Sequence, residues 1–87
     1  MKIDFSKIEV KNLKGDVLGK FPRVEFADMI YTKSSGVANS ALAHKIFGKE
    51  SDSYSDEEVE LMKELLNNLG LVSAVTDPLL KIIEAKE

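Results

Sequence analysis

Eighty-seven residues bound this chain to one domain, since independent cores generally need about 50 residues and divide only beyond about 250. An apolar share of 44% beside 31% charged residues excludes a disordered chain, and the absence of cysteine excludes disulfides and thiolate chemistry. The net charge of −3 is split: residues 1–23 hold six basic and three acidic side chains, residues 24–49 three and two, and residues 50–87 three and ten. Lys2, Asp4, Lys7 and Glu9 charge the opening segment and no long apolar run follows, so the expectation is a soluble, cytoplasmic protein without a membrane span.

The first elements read as a β-hairpin over about residues 1–21. Ile8, Val10 and Asn12 fall on one side of an extended segment, with Lys7, Glu9 and Lys11 on the other, the period of two of a strand buried on one face. Lys14-Gly15-Asp16 supplies the turn and Val17–Phe21 the return strand. Two strands alone are marginal, so the hairpin must lie against helices. From Pro22 the apolar spacing becomes helical, with Val24, Ala27, Ile30 and Tyr31 on one face to about Lys33. Ser34-Ser35-Gly36 interrupts it. A second helix is predicted from Val37 to Phe47, facing inward through Val37, Ala41, Leu42 and either Ile46 or Phe47, and closed by a left-handed Gly48.

Lys49–Ser53 reads as a polar loop. The strongest local signal follows: Ser55 and Glu58 have capping-box spacing, flanked by Tyr54 and Val59 at the staple positions. Asp56, Glu57 and Glu58 place negative charge at the positive end of the helix dipole. This helix is predicted to run to Leu69, burying Val59, Met62, Leu65, Leu66 and Leu69, and to end at Gly70. The last helix has two candidate starts, one capped by Ser73 and one by Asp77 with Pro78 as first residue. The fold class is therefore α+β: an N-terminal hairpin packed on three or four short helices occupying about residues 22–87.

Little in the sequence carries chemistry. Ser40 and His44 share a helix face, but no nucleophile elbow or orienting third residue accompanies them. One histidine without cysteine cannot build an ordinary zinc site. A calcium loop starting at Asp52 fails, with Tyr54 third, Glu57 sixth and Lys63 twelfth. Neither Gly15 nor Gly19 belongs to a phosphate loop. No enzymatic activity, cofactor or metal is expected.

Two binding readings remain. Leu71, Val72, Val75, Leu79, Leu80, Ile82 and Ile83 form a broad apolar stripe, more than one helix buries against a hairpin and short neighbours, which predicts an interface for self-association. The alternative is a helix-turn-helix-like DNA-binding regulator, with Asn39, Ser40 and Ala43 toward base edges and Lys33 and Lys45 near phosphates. The acidic chain disfavours nucleic acid as a partner, and Thr32 and Lys45 occupy positions where that motif packs small or apolar side chains.

Met1-Lys2-Ile3-Asp4-Phe5, Leu13-Lys14-Gly15-Asp16, Ile30-Tyr31, Leu42-Ala43-His44-Lys45-Ile46-Phe47 and Ser55-Asp56-Glu57-Glu58 together cover most of the chain's organisation. In these segments the chain resembles small uncharacterised proteins of tailed bacteriophages and prophages. The resemblance implies a phage setting, the host-cell cytoplasm, and an accessory or assembly role through another phage protein or a second copy. These are packing and capping segments, so the resemblance brings no functional residue with it. Pro78 and the serine-rich stretch Ser51–Ser55 depart from the shared pattern.

Overall fold

The alternating segment Lys2–Lys11 does not run as one strand. The Asp4 carboxylate accepts from the Ser6 backbone N–H at 3.0 Å and from the Ser6 hydroxyl, winding Phe5–Lys7 into a 3₁₀ turn. In the computed structural model, which describes residues 1–85, this turn separates β1 (Lys2–Asp4) from β2 (Glu9–Lys11). β1 pairs antiparallel with β4 (Ser51–Ser53), in the register Lys2 to Ser53, Ile3 to Asp52 and Asp4 to Ser51. Part of the predicted polar loop Lys49–Ser53 is thus a strand. Its own side chains carry no apolar alternation because the anchors lie beside it. Phe5 N–H donates to the Glu50 carbonyl at 2.8 Å, Tyr54 N–H donates to the Met1 carbonyl at 2.7 Å, and both rings are buried.

β2 and β3 (Val17–Lys20) form the predicted hairpin, pairing Glu9 with Lys20, Val10 with Gly19 and Lys11 with Val17. The register skips Leu18, a bulge that bends the outer strand. Gly15 holds the turn at φ +91°, where a β-carbon would be strained. Asn12, predicted to face inward with Ile8 and Val10, is instead exposed: its Oδ1 accepts from the N–H groups of Lys14 and Asp16, both at 3.0 Å. Turn chemistry takes precedence over strand alternation there.

Helices α1 (Arg23–Lys33) and α2 (Val37–Gly48) form an antiparallel pair. The buried face of α1 is Phe26, Ala27 and Ile30, whereas Val24 and Tyr31 are exposed. In α2 the inner face is Leu42, Ala43 and Ile46, and Val37, Ala41 and Phe47 lie outside. Gly48 belongs to the helix rather than terminating it in the left-handed region, and the chain leaves through extended Lys49 (φ −143°). The Arg23 guanidinium explains the difference. Its Nη1 donates to the Ile46 and Phe47 carbonyls at 2.7 and 2.6 Å, satisfying the negative end of α2 without a reversing glycine.

α3 (Asp56–Asn68) starts as its sequence dictates. Glu58 N–H donates to Ser55 Oγ at 3.2 Å, and the Glu58 carboxylate accepts from Ser55 N–H at 2.9 Å. Gly70, at φ +73°, ends it. α4 (Ser73–Ala85) takes the earlier of its two candidate starts and carries Pro78 inside the helix, where the bond residue 78 would donate to the Ala74 carbonyl cannot form. The core joins β1, the 3₁₀ turn and all four helices: Ile3, Phe5, Ile8, Phe26, Ile30, Leu42, Ile46, Met62, Leu79 and Ile83 are buried. Tyr54 meets Phe5 and Phe26 meets Phe21 edge to face, at 6.2 and 5.5 Å between centroids. The molecule extends 39 × 25 × 21 Å.

Candidate functional site

β2 lies against α4, and a groove opens between the hairpin and the helix. Ala74, Pro78 and Ile82 recur every four residues along one flank of α4 and make one wall of a groove. Leu13 and Leu18 of the hairpin make the other, and the groove encloses about 880 Å³. Leu13, at the turn, is fully exposed and Leu18 is 63% exposed. Lys7, Lys11 and Lys81 contribute positive charge to the lining, Glu9 and Asp77 negative charge.

The seven residues predicted as an interface do not form one surface. Leu79 and Ile83 are fully buried and belong to the core, where they seat α4. Leu71, Val75, Leu80 and Ile82 are partly buried and pack against that core, and Val72 is exposed. Of the seven, Ile82 lines the groove. Leu13, Leu18 and Pro78 line the groove from outside the predicted interface, although an isolated leucine between Asn12 and Lys14 in a turn is a legible sign of an apolar side chain with no core to enter.

The alternative DNA-contact residues sit on α2, each engaged locally. Asn39 Nδ2 donates to the Ser35 carbonyl at 2.9 Å, and His44 Nδ1 lies 2.8 Å from the Ser40 carbonyl, so the histidine meets backbone and not the serine hydroxyl. Lys45 Nζ contacts both Glu58 carboxylate oxygens at 3.0 and 3.3 Å and stands 4.8 Å from the centre of the Tyr54 ring. Burial acts to raise the Glu58 carboxyl, but the Ser55 N–H and the Lys45 ammonium outweigh it and hold the group below its ordinary value. Burial, reinforced by Asp52 and Glu58, pushes the Tyr54 phenol up to about 12. Lys45 therefore joins α2 to the cap of α3.

Among the described residues, no helix is long and apolar enough to cross a membrane, and no three His, Cys, Asp or Glu side chains are grouped to hold a metal ion. Comparison with protein-family models, curated proteins and solved structures finds no match to this chain.

Proposed function

We propose that this protein is a non-enzymatic phage or prophage accessory protein that works through protein–protein contact, with a second copy of itself as first partner. The observation that supports this is the groove between the hairpin and α4, where Leu13 and Leu18 on one wall are exposed and Pro78 and Ile82 on the other are only half-buried among the described residues. Its lining carries both signs of charge, so a twofold axis can set Lys7, Lys11 or Lys81 of one copy against Glu9 or Asp77 of the other. The hairpin arm of each copy then fills the groove of its partner, an isologous arrangement in which the same residues serve as insert and receptor. The phage setting rests on the sequence resemblance, and genes for virion or assembly proteins beside this one would support it.

Sedimentation equilibrium at tens of micromolar tests the association. The expected result is a species of twice 9.6 kDa, returned to 9.6 kDa by Leu18→Glu and by Ile82→Glu with folding retained. A wild-type chain that stays at 9.6 kDa across that range overturns the reading.

A further inference from the structure

A second recess lies on the outer face of the α1–α2 pair. Ala27 and Ala43, the smallest side chains of the two inner faces, form its floor, because neither fills the space between the helices. Tyr31 and Phe47 stand over it, 58% and 60% exposed, with Asp28 and His44 completing the lining. The spacing follows from helix geometry: Ala27, Asp28 and Tyr31 occupy one face of α1, and Ala43, His44 and Phe47 one face of α2. No residue lines both this recess and the hairpin groove.

The chemistry of the recess has one sign. Tyr31 and Phe47 offer aromatic rings, whose faces carry negative quadrupole density. Asp28 offers an exposed carboxylate. His44 Nδ1 points at the Ser40 carbonyl, which can only accept, so in the neutral ring Nδ1 carries the hydrogen and Nε2 the lone pair. Tyr31 and His44 meet edge to face at 5.3 Å, which fixes both rings as a wall. Among the described residues no lysine or arginine lines the recess, and the Arg23 guanidinium at this end of α2 is directed onto the Ile46 and Phe47 carbonyls. Size adds a second constraint. The recess holds about 220 Å³, below the roughly 300–1,000 Å³ of small-molecule pockets. That suits one long side chain.

We infer that the Tyr31–Phe47–Asp28 recess is a docking site for a single lysine or arginine side chain presented by a partner protein. The alanine floor takes the methylene stem, the two rings flank the cation, and the Asp28 carboxylate pairs with it. An uncharged side chain of the same length gains the floor and forfeits the rest.

Nuclear magnetic resonance titration of the folded protein decides it, with N-acetyl-lysine methylamide and N-acetyl-arginine methylamide as probes and N-acetyl-norleucine methylamide as the uncharged control. The expected result is saturable shifts at the amides of Ala27, Tyr31, Ala43 and Phe47, with the cationic probes binding roughly twofold to fivefold tighter than norleucine. Asp28→Asn and Tyr31→Leu, both at exposed positions, should each abolish that preference while leaving the urea midpoint in place. Equal binding of norleucine, unsaturable shifts, or a cation preference that survives both substitutions overturns the inference. Self-association does not enter the readout, because the same titration can be run on the Leu18→Glu chain.

Discussion

The two ribbons β1–β4 and β2–β3 are both short antiparallel pairs, yet their sequences and their burial run in opposite directions. β2 and β3 have the recognisable pattern, with alternating residues, a glycine turn and a few residues of separation. Val17 and Leu18 nevertheless lie in the open. β4 is Ser51-Asp52-Ser53, a poor strand former, and its partner β1 lies nearly fifty residues away. That ribbon carries Ile3 within β1 and is flanked by Phe5 and Tyr54, all three within 2% of complete burial. The comparison teaches that a strand can be held by the side chains at its ends while its own stay polar. A strand with the right pattern can equally be left free for another molecule.

The largest effect that would break the comparison is at the buried ribbon. Phe5→Ala removes a ring that packs on Phe21 and Tyr54, and the expected loss is about 3–5 kcal/mol in urea unfolding. Val17→Ala on the exposed ribbon should stay within about 0.5 kcal/mol. Equal losses at the two sites would show that the hairpin is as firmly held as the β1–β4 pair.

The next effect lies where β4 feeds α3. Ser55→Ala should cost about 0.5–2 kcal/mol, since it removes the oxygen that accepts from Glu58 N–H. The Glu58 carboxyl titrates lower in the folded chain than its ordinary 4.5. Its contribution is therefore present above pH 4.5 and lost as pH falls through the folded value. In Glu58→Gln that acid-side loss should shrink, measured as urea midpoint against pH, and an unchanged acid limb would remove Glu58 from the account.

Tyr54 offers a smaller change with the opposite sign. Among the described residues its buried hydroxyl has no hydrogen-bond partner, while its ring packs on Phe5 and under Lys45. Tyr54→Phe keeps the ring and should stabilise by up to about 1 kcal/mol. The phenol is raised from 10 to about 12, so folding is undiminished below pH 10 and loses ground as pH climbs toward 12. The phenylalanine variant should lose that alkaline limb, and a destabilised variant would mean the hydroxyl is satisfied after all.

What the sequence could and could not convey follows from range. The cap at Ser55, the stop at Gly70 and the hairpin turn at Gly15 depend on neighbours within a few residues, and each stands where its pattern puts it. Helical spacing permits several stripes on α1, and packing against Phe21 selects the one holding Phe26, which leaves Val24 and Tyr31 outside. β4 is not legible locally because its partner is distant and its own side chains are polar. The groove and the aromatic recess were illegible for the same reason. Leu13 and Ile82, or Tyr31 and Phe47, line one recess only because separate elements converge.

The smallest expected effect on stability is the sharpest probe of what the open ribbon is for. Leu13 is fully exposed at the hairpin turn and Asn12 holds that turn through its side-chain oxygen, so the leucine is not needed to form it. Leu13→Ser should leave the urea midpoint within about 0.5 kcal/mol of wild type. A leucine at a turn exposes apolar surface to water without a compensating contact inside the chain. Its role in the proposed dimer is to cover the Pro78 and Ile82 wall of the partner, and the same substitution should weaken association measurably in sedimentation. A stable Leu13→Ser chain that associates as wild type does would remove the turn from the interface and leave Leu18 and Ile82 to carry it. A chain that loses several kcal/mol would instead show that the hairpin tip is folded against its own domain, and the contrast between the two ribbons would fail.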